Sequence, residues 1–371
     1  MPMDNQTEDN QGTPDAPLDL MDGASGVTGE LVNAVGQQFK ISADVKRPLE
    51  ERLEAYEDII DSEVGDTALV RARNIERQVG LRQIYLKFEG GNPSGTQKDR
   101  IAFAQAMDAL RRGFDGITVA TCGNYGAAIA LAASFAGIKC RIFVPENFHT
   151  KRIKEMTDLN SEIVRVSGDY EKAVEISSAV AQQEELYDAN PGGNNTTLQL
   201  QAYGQIAYEI YDELRDAPFA VALPVSNGTT LAGVYKGFLS LHRRGKTSRM
   251  PKIIAGSSFR KNPIVQALLQ NLSTCQDLDP DRIRETSINE PLVNWHSIDG
   301  DYALDAVRST QGWAADASDK SMRFYAKMIR EKEGLQVLPA STAGLSALLE
   351  QHLKSALPGD RYVVVLTGRK T

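Results

Sequence analysis

From about residue 81 onward, short runs of apolar and mostly β-branched residues alternate with longer segments of helical periodicity. The short runs predict strands at residues 84–88, 117–120, 140–144, 163–166, 219–225, 253–255 and 362–366. The longer segments predict helices at residues 98–111, 124–136, 170–184, 198–214, 231–244, 320–333 and 342–355. This alternation is typical of right-handed crossovers, and continuous apolar strands are typical of sheets covered on both faces. The sequence therefore predicts an α/β fold with mostly parallel sheets.

Composition narrows the class of protein. A length of 371 residues accommodates two domains, and 42% hydrophobic with 24% charged residues is typical of soluble globular proteins. The net charge of −8 is concentrated at one end, because residues 1–30 contain seven acidic and no basic side chains. We expect an acidic, disordered arm over residues 1–50. The rest of the chain is almost neutral, which argues against a nucleic-acid partner.

The cysteines and the apolar runs indicate the cellular compartment of the protein. Cys122, Cys140 and Cys275 form no CxxC motif, which favours a reducing compartment without disulfides. The longest nearly apolar run, residues 127–138, is too short to cross a bilayer, and no secretory signal is visible. We therefore expect a cytoplasmic protein with no membrane partner. The four histidines are isolated in sequence and show no metal-ligand spacing, so no metal is predicted.

Ligands of such folds bind where loops follow the carboxyl ends of strands, so these junctions are the candidate sites. The first junction reads EGGNPSGTQKDR over residues 89–100 and places Lys98 in the first turn of a helix. The helix dipole opposes a positive charge there, and burial would also favour the neutral, nucleophilic amine. Taken alone, the motif also fits a surface lysine beside Asp99 and Arg100.

The second junction reads TCGNYG over residues 121–126. Its small residues allow close approach to backbone N–H groups, so Thr121, Gly123 and Asn124 could bind a carboxylate together with the helix N-terminus. Asn124 alone also fits an ordinary N-cap. No GxGxxG motif accompanies the turn, so a dinucleotide site is not indicated.

Two further strand ends carry hydroxyl groups. Residues 224–230 read PVSNGTT before a helix, and successive small hydroxyl residues at a helix N-terminus suit a phosphate. No lysine lies inside this loop, which excludes a Walker A site for a triphosphate. The loop alone also fits a capping turn. The predicted strand at residues 362–366 delivers Thr367, whose hydroxyl could face a heteroaromatic nitrogen.

A lysine, an asparagine, a phosphate loop and a terminal hydroxyl on four strand ends together match pyridoxal phosphate. With these motifs the sequence resembles the fold-type II pyridoxal-phosphate enzymes of the tryptophan synthase β-like superfamily, and within it the threonine synthases. The resemblance runs from about residue 62 to residue 371, and NPSGTQKDR at residues 92–100 is its most specific part. Supporting motifs are TCGN at 121–124, PVSNGTT at 224–230, LPASTAG at 338–344 and LTG at 366–368.

The resemblance implies a role for each motif. Lys98 would be the catalytic lysine that forms a Schiff base with the cofactor, Asn124 would bind the phenolic oxygen, and Thr367 would meet the ring nitrogen. A hydroxyl at that nitrogen favours elimination over transamination. The cofactor phosphate would be held by Ser226, Asn227, Gly228, Thr229 and Thr230. Substrate contacts are expected from Thr121, Cys122, Gly123, Asn124, Tyr125, Lys151 and Arg152.

Three functions follow as hypotheses. The leading one is a lyase of amino-acid biosynthesis that, like threonine synthase, converts O-phosphohomoserine and water to threonine and phosphate. The second keeps the cofactor but performs β-replacement or β-elimination on serine, O-phosphoserine, O-acetylserine or threonine, as cysteine synthase, cysteate synthase and threonine deaminase do. The third is a non-catalytic binding protein that retained the fold, against which Lys98 argues.

The resemblance also implies an architecture of two three-layer α/β domains with the cofactor in the cleft between them. We place the large domain at residues 51–101 and 216–371, and a smaller mobile domain at residues 102–215. A homodimer is expected from the family.

Overall fold

A computed structural model describes residues 35–121, 123–146, 148, 150 and 152–370. In this part of the chain the strands are β1 Leu69–Arg71, β2 Ile84–Phe88, β3 Gly116–Ala120, β4 Lys139–Pro145, β5 Glu162–Val166, β6 Tyr187–Asp188, β7 Ala220–Pro224, β8 Lys252–Ser258, β9 Trp313–Ala317 and β10 Tyr362–Leu366. The α-helices are α1 Gly36–Ser42, α2 Leu49–Glu63, α3 Arg73–Val79, α4 Lys98–Arg111, α5 Asn124–Phe135, α6 Ile153–Asp158, α7 Tyr170–Gln183, α8 Thr196–Leu214, α9 Thr229–Arg243, α10 Pro263–Leu269, α11 Gly300–Ser309, α12 Asp319–Glu333 and α13 Ala343–Lys354.

The larger sheet contains six strands in the order β1-β2-β10-β7-β8-β9. Only β1 pairs antiparallel, and the other described pairings are parallel. Tyr362 of β10 pairs with Ile84 of β2 and with Ala220 of β7, so these three strands run in register. Their carboxyl ends therefore meet at one edge of the sheet. The central strands β7 and β10 are buried at every position, as expected for a sheet covered on both faces.

The smaller sheet contains four parallel strands in the order β5-β4-β3-β6. Strand β3 is buried along its whole length and leads into α5, which begins at Asn124. The first turns of α5 are formed mainly by glycine and alanine, so the helix packs closely against its neighbours. The junction after β3 therefore places Asn124 at the carboxyl edge of this sheet.

Helices α1 and α2 pack on the side of the smaller sheet. The rings of Phe39 and Phe135 meet edge-on with centroids 4.9 Å apart, and Arg52 donates a hydrogen bond to the Ala136 carbonyl at 2.7 Å. The expected disordered arm is therefore wrong for residues 36–50, where a buried phenylalanine anchors the chain. Residues 1–34 of that prediction lie outside the described residues.

The predicted α/β class with mostly parallel sheets is confirmed, and each predicted strand and helix is present. Strands β1 and β6 were not predicted because they are only three and two residues long. Strand β9 was not predicted because its sequence, WAADA, is short and contains an aspartate. The expected domain boundaries and the expected homodimer stay predictions. No described helix is long and apolar enough to span a membrane.

Candidate active site

A cavity with about 680 Å³ of empty space, including its open mouth, lies at the carboxyl ends of strands from both sheets. All four junctions that the sequence singled out contribute to its wall. The contributing residues are Lys98, Asn124, Ser226, Asn227, Gly228, Thr229, Thr230 and Thr367.

The Lys98 side chain lines this cavity and is only partly exposed. Desolvation by the surrounding protein lowers the pKa of Lys98 from 10.5 to about 8, although the carboxylate of Asp299 opposes this shift. Its Nζ lies 5.9 Å from the ring centroid of Tyr125 and 6.0 Å from that of Tyr203. A large fraction of Lys98 is therefore a neutral nucleophile near pH 8. A surface lysine, the alternative open at the sequence level, does not fit these surroundings.

The segment that carries Lys98, here called the lysine loop (residues 92–98), is held by the chain after β10. Thr96 and Gly368 form an antiparallel bridge, and the Gln97 N–H donates to the Thr367 carbonyl at 3.0 Å. The Thr367 hydroxyl lies 3.2 Å from the Ser341 hydroxyl. Lys98 and Thr367 are thus fixed relative to each other, and Ser341 orients the threonine.

The loop at residues 226–230 runs directly into the N-terminus of α9, where backbone N–H groups are unpaired within the helix. Gly228 has φ +95°, and a Cβ there would lie 2.8 Å from the Asp299 carbonyl oxygen, so the turn requires glycine. The Asn262 side chain donates to the Ser226 carbonyl at 3.0 Å and supports the loop from behind. The arrangement is a preformed cradle for an anion.

Asp299 is a site residue that the sequence analysis missed. It lies in a segment for which no strand or helix was predicted, yet it is buried and accepts a hydrogen bond from the Thr229 hydroxyl at 2.5 Å. Burial raises the pKa of Asp299, whereas this hydrogen bond and the charges of Lys236 and Lys98 lower it. The carboxyl group therefore links the 226–230 loop electrostatically to Lys98. The only signal in sequence is an Asp-Gly pair at the start of α11, where Asp299 immediately precedes the helix and Gly300 is its first residue.

Of the described residues that were predicted to contact the substrate, Asn124 alone belongs to the cavity wall. Thr121, Gly123 and Tyr125 do not belong to the cavity wall, although Tyr125 contacts Lys98 as described. The Tyr125 hydroxyl instead donates to the Ala189 carbonyl at 2.8 Å. Arg152 also lies outside the wall. Cys122 and Lys151 lie outside the described residues.

A buried network of charged side chains supports the start of α4. Arg100 lies 2.6 Å from both Glu89 and Glu209, and Glu209 lies 2.5 Å from Lys87. All four are buried or nearly so, and their formal charges balance. The network therefore joins β2, α4 and α8 directly beneath the lysine loop. Among the described residues, no group of three or more histidine, cysteine or acidic side chains could hold a metal ion.

The family model of pyridoxal-phosphate dependent enzymes matches residues 60–368 of this chain. The chain belongs to this enzyme family. A threonine synthase from Methanocaldococcus jannaschii is 28% identical over 309 residues, which cover 82% of this chain and 74% of that protein. A threonine synthase from Bacillus sp. is 28% identical over 309 residues, which cover 82% of each chain.

Solved structures share the fold of this pyridoxal-phosphate enzyme. Serine racemase from Dictyostelium discoideum has a TM-score of 0.70 at 16% identity and covers 86% of this chain and 97% of that one. The processed form of threonine deaminase isoform 2 from Solanum lycopersicum also has a TM-score of 0.70 at 16% identity, covering 86% and 90%. At these identities the likeness concerns the fold. The predicted fold-type II class and the predicted cofactor are confirmed.

Proposed function

We propose that this enzyme is a lyase or synthase for a small amino acid, of the threonine synthase type, which converts O-phosphohomoserine and water to threonine and phosphate. The observation that carries the proposal is the position of Lys98, whose pKa is about 8, in one cavity with the 226–230 loop and Thr367. The similarity to threonine synthases over most of the chain supports the choice of substrate.

The residues of the cavity fit pyridoxal phosphate. The 226–230 loop and the N-terminus of α9 would hold its phosphate, because the glycine turn leaves space for an anion at unpaired N–H groups. Lys98 would attach to its aldehyde, Thr367 would face its ring nitrogen and Asn124 its phenolic oxygen. When bound, the cofactor stabilises negative charge at the substrate Cα.

Lys98 is the group that holds and moves protons in this proposal. A pKa of about 8 lets the amine accept a proton from the substrate Cα and return it to a later atom near physiological pH. A positioned acid or base of this kind contributes about 10²–10⁴-fold in rate. Thr367 is neutral, so it gives the ring nitrogen no proton and favours elimination over transamination.

A substrate screen tests the proposal. We expect the holoenzyme to release inorganic phosphate from O-phosphohomoserine and to form threonine. Lys98→Ala should abolish turnover, whereas Lys327→Ala, an exposed lysine on α12, should keep it. Turnover of Lys98→Ala at the wild-type rate would contradict the assigned mechanism, and loss of turnover in Lys327→Ala would indicate a general effect of removing a lysine.

One observation favours a second candidate, β-elimination or β-replacement on an unphosphorylated amino acid. In the described part of the cavity wall, Lys98 is the only basic side chain. A leaving phosphate would then depend on hydroxyl groups or on Lys151, which is outside the described residues. Keto-acid formation from threonine or serine, or sulfide consumption with O-acetylserine, in place of phosphate release would establish this candidate. No turnover of any of these compounds would favour a non-catalytic binding protein.

A further inference from the structure

Arg152 is a buried cation that joins both sides of the cavity from behind its wall. Its Nη1 donates to Asn124 Oδ1 at 2.8 Å, and its Nη2 donates to the Ser94 carbonyl at 2.8 Å. Its Nε and Nη2 also donate to one carboxylate oxygen of Glu155 at 3.1 and 2.8 Å. Four hydrogen bonds therefore occupy a side chain that has five N–H groups. This leaves little capacity for the substrate contact that the sequence analysis expected of Arg152.

These contacts fix the orientation of the Asn124 carboxamide. A guanidinium group only donates hydrogen bonds, so the atom of Asn124 that faces Arg152 must be the carbonyl oxygen. A flipped amide would bring two donors together and lose the bond. Because Asn124 lines the cavity, its NH₂ group is the end available to a ligand. The NH₂ group of Asn124 is therefore suited to bind an electron-rich oxygen of a ligand, and it is not suited to bind a hydrogen-bond donor.

We propose that Arg152 is a positioning residue for cofactor binding. It holds Asn124 so that the amide NH₂ donates to an oxygen of bound pyridoxal phosphate. The inference rests on the role proposed above for Asn124, but not on the identity of the amino-acid substrate. Arg152 acts through Asn124 and does not itself touch the cofactor.

The same side chain couples this orientation to the lysine loop. Ser94 belongs to that loop and lies beside the larger sheet, whereas Asn124 and the helix that follows Arg152 belong to the smaller sheet. The planar fork bonds Asn124 from Nη1 and Ser94 from Nη2, so two separate nitrogens hold the two acceptors. A lysine would keep the charge and lose this geometry. The lysine variant therefore separates a positioning role from a purely electrostatic one.

The test is the affinity of apoenzyme for pyridoxal phosphate, measured by fluorescence titration without substrate. We expect Arg152→Met to weaken binding roughly tenfold, the effect of one hydrogen bond worth about 1.4 kcal/mol. Arg152→Lys should restore little of this loss. Arg165→Met is the matched control, because Arg165 bonds the carbonyls of Pro145 and Phe148 rather than Asn124.

A double-mutant cycle makes the test specific. If Arg152 acts through Asn124, adding Arg152→Met to Asn124→Ala should cause no further loss of affinity. Additive losses, rescue by Arg152→Lys, or unchanged affinity in Arg152→Met would overturn the proposal. If Arg152→Met does not fold, Arg152→Lys still decides. That variant keeps the charge but loses the fork, so it must bind the cofactor about as weakly as Asn124→Ala, and wild-type affinity would overturn the proposal.

Discussion

Two neighbouring side chains at the start of α4 are shifted towards neutrality by burial. The pKa of Lys98 falls to about 8 and that of Asp99 rises to about 7. Asp99 Oδ2 accepts hydrogen bonds from the backbone and hydroxyl of Ser94, whereas its Oδ1 has no hydrogen-bond partner among the described residues. Both groups thus pass between charged and neutral forms near physiological pH.

The lowered pKa of Lys98 predicts how fast the apoenzyme captures its cofactor. Only the neutral amine reacts with an aldehyde, so the capture rate should rise with pH and level off above about pH 8. An ordinary lysine would give a rate that still rises near pH 10. Stopped-flow absorbance measures the profile, with Lys98→Ala as the blank. A rate that continues to increase up to about pH 10 contradicts the shifted pKa.

The raised pKa of Asp99 predicts a stabilising substitution. The folded protein holds this proton more tightly than the unfolded chain, so the free energy of unfolding falls as pH rises from about 4 to about 7. An asparagine does not ionise, so Asp99→Asn removes this pH-dependent loss of stability. We expect the apoenzyme to gain about 1–3 kcal/mol at pH 8 in urea unfolding.

The gain from Asp99→Asn should shrink as pH falls from about 7 to about 4 and vanish below about pH 4, where the wild-type carboxyl becomes protonated in both states. Asp305→Asn, at an exposed position of α11, is the control and should change little at either pH. Equal effects of the two variants at pH 8 would show that Asp99 is not strained by burial.

Among the helices and strands, the charged network of Lys87, Glu89, Arg100 and Glu209 anchors the first turn of α4. Glu209 of α8 contacts both basic groups. Burial alone would raise the pKa of Glu209, but its hydrogen bonds to Arg100 and Lys87 and the charges of these two residues lower it to about 2. Because this folded-state pKa is depressed, the stabilisation is complete above about pH 4.5 and is lost as pH falls towards 2. The support that the network gives to the lysine loop is therefore sensitive to acid.

Glu209→Gln should destabilise the protein by about 3–5 kcal/mol, because it leaves a buried positive charge without its partner. The variant should also lose part of the wild-type dependence of stability on acid. Urea unfolding at neutral and acidic pH measures both effects. Glu213→Gln, one turn further along α8 and exposed, is the matched control. A loss no larger than that of the control would mean that the network is not stabilising.

The elements that sequence predicted well are those with a strong local signal. The bounds of α4 and β10 agree with the predicted residues, because continuous apolar or clearly periodic runs define them. Helices α1, α2, α3, α6, α10 and α11 were not predicted. Four of them, α1, α3, α6 and α10, have only six or seven residues. The stability of such short helices comes from packing, which periodicity does not reveal.

The site residues also fall into those that sequence predicted from a local signal and those that it did not. Lys98, Asn124 and Thr367 lie in junctions that follow predicted strands, so sequence singled them out, and the structure brings them to one cavity. Asp299 comes from a distant segment whose only local signal is an Asp-Gly pair. Arg152 was predicted to contact the substrate, but its described hydrogen bonds are to groups of the protein. Sequence reveals that a cation is present, but the partner of that cation depends on the fold.

One hydrogen bond joins an element on the larger-sheet side to a helix on the smaller-sheet side. The Trp295 indole, in the loop before α11, donates to Glu171 of α7 at 3.2 Å. The other tryptophan, Trp313, bonds the Ala347 carbonyl within the larger-sheet side. Trp295 is therefore placed to report on the relative position of the two sides, which we propose to change during turnover.

In a Trp313→Phe background, we expect an amino-acid substrate to shift Trp295 emission to shorter wavelength, because closure excludes water from the indole. Adding Glu171→Ala should reduce this shift. Emission spectra of the holoenzyme with and without substrate measure it. An unchanged spectrum, or the same shift without Glu171, would argue against a movement between these sides.

The bridge between Thr96 and Gly368 connects segments made at very different times. The neighbouring bond from Arg369 to the Gly90 carbonyl spans 279 residues of chain. A ribosome adds about 5–20 residues per second, so the nascent lysine loop waits many seconds for its partner strand. During that interval the reactive amine has no finished pocket around it. The enzyme should therefore acquire its cofactor only after translation has passed β10, and a chain arrested earlier should remain colourless.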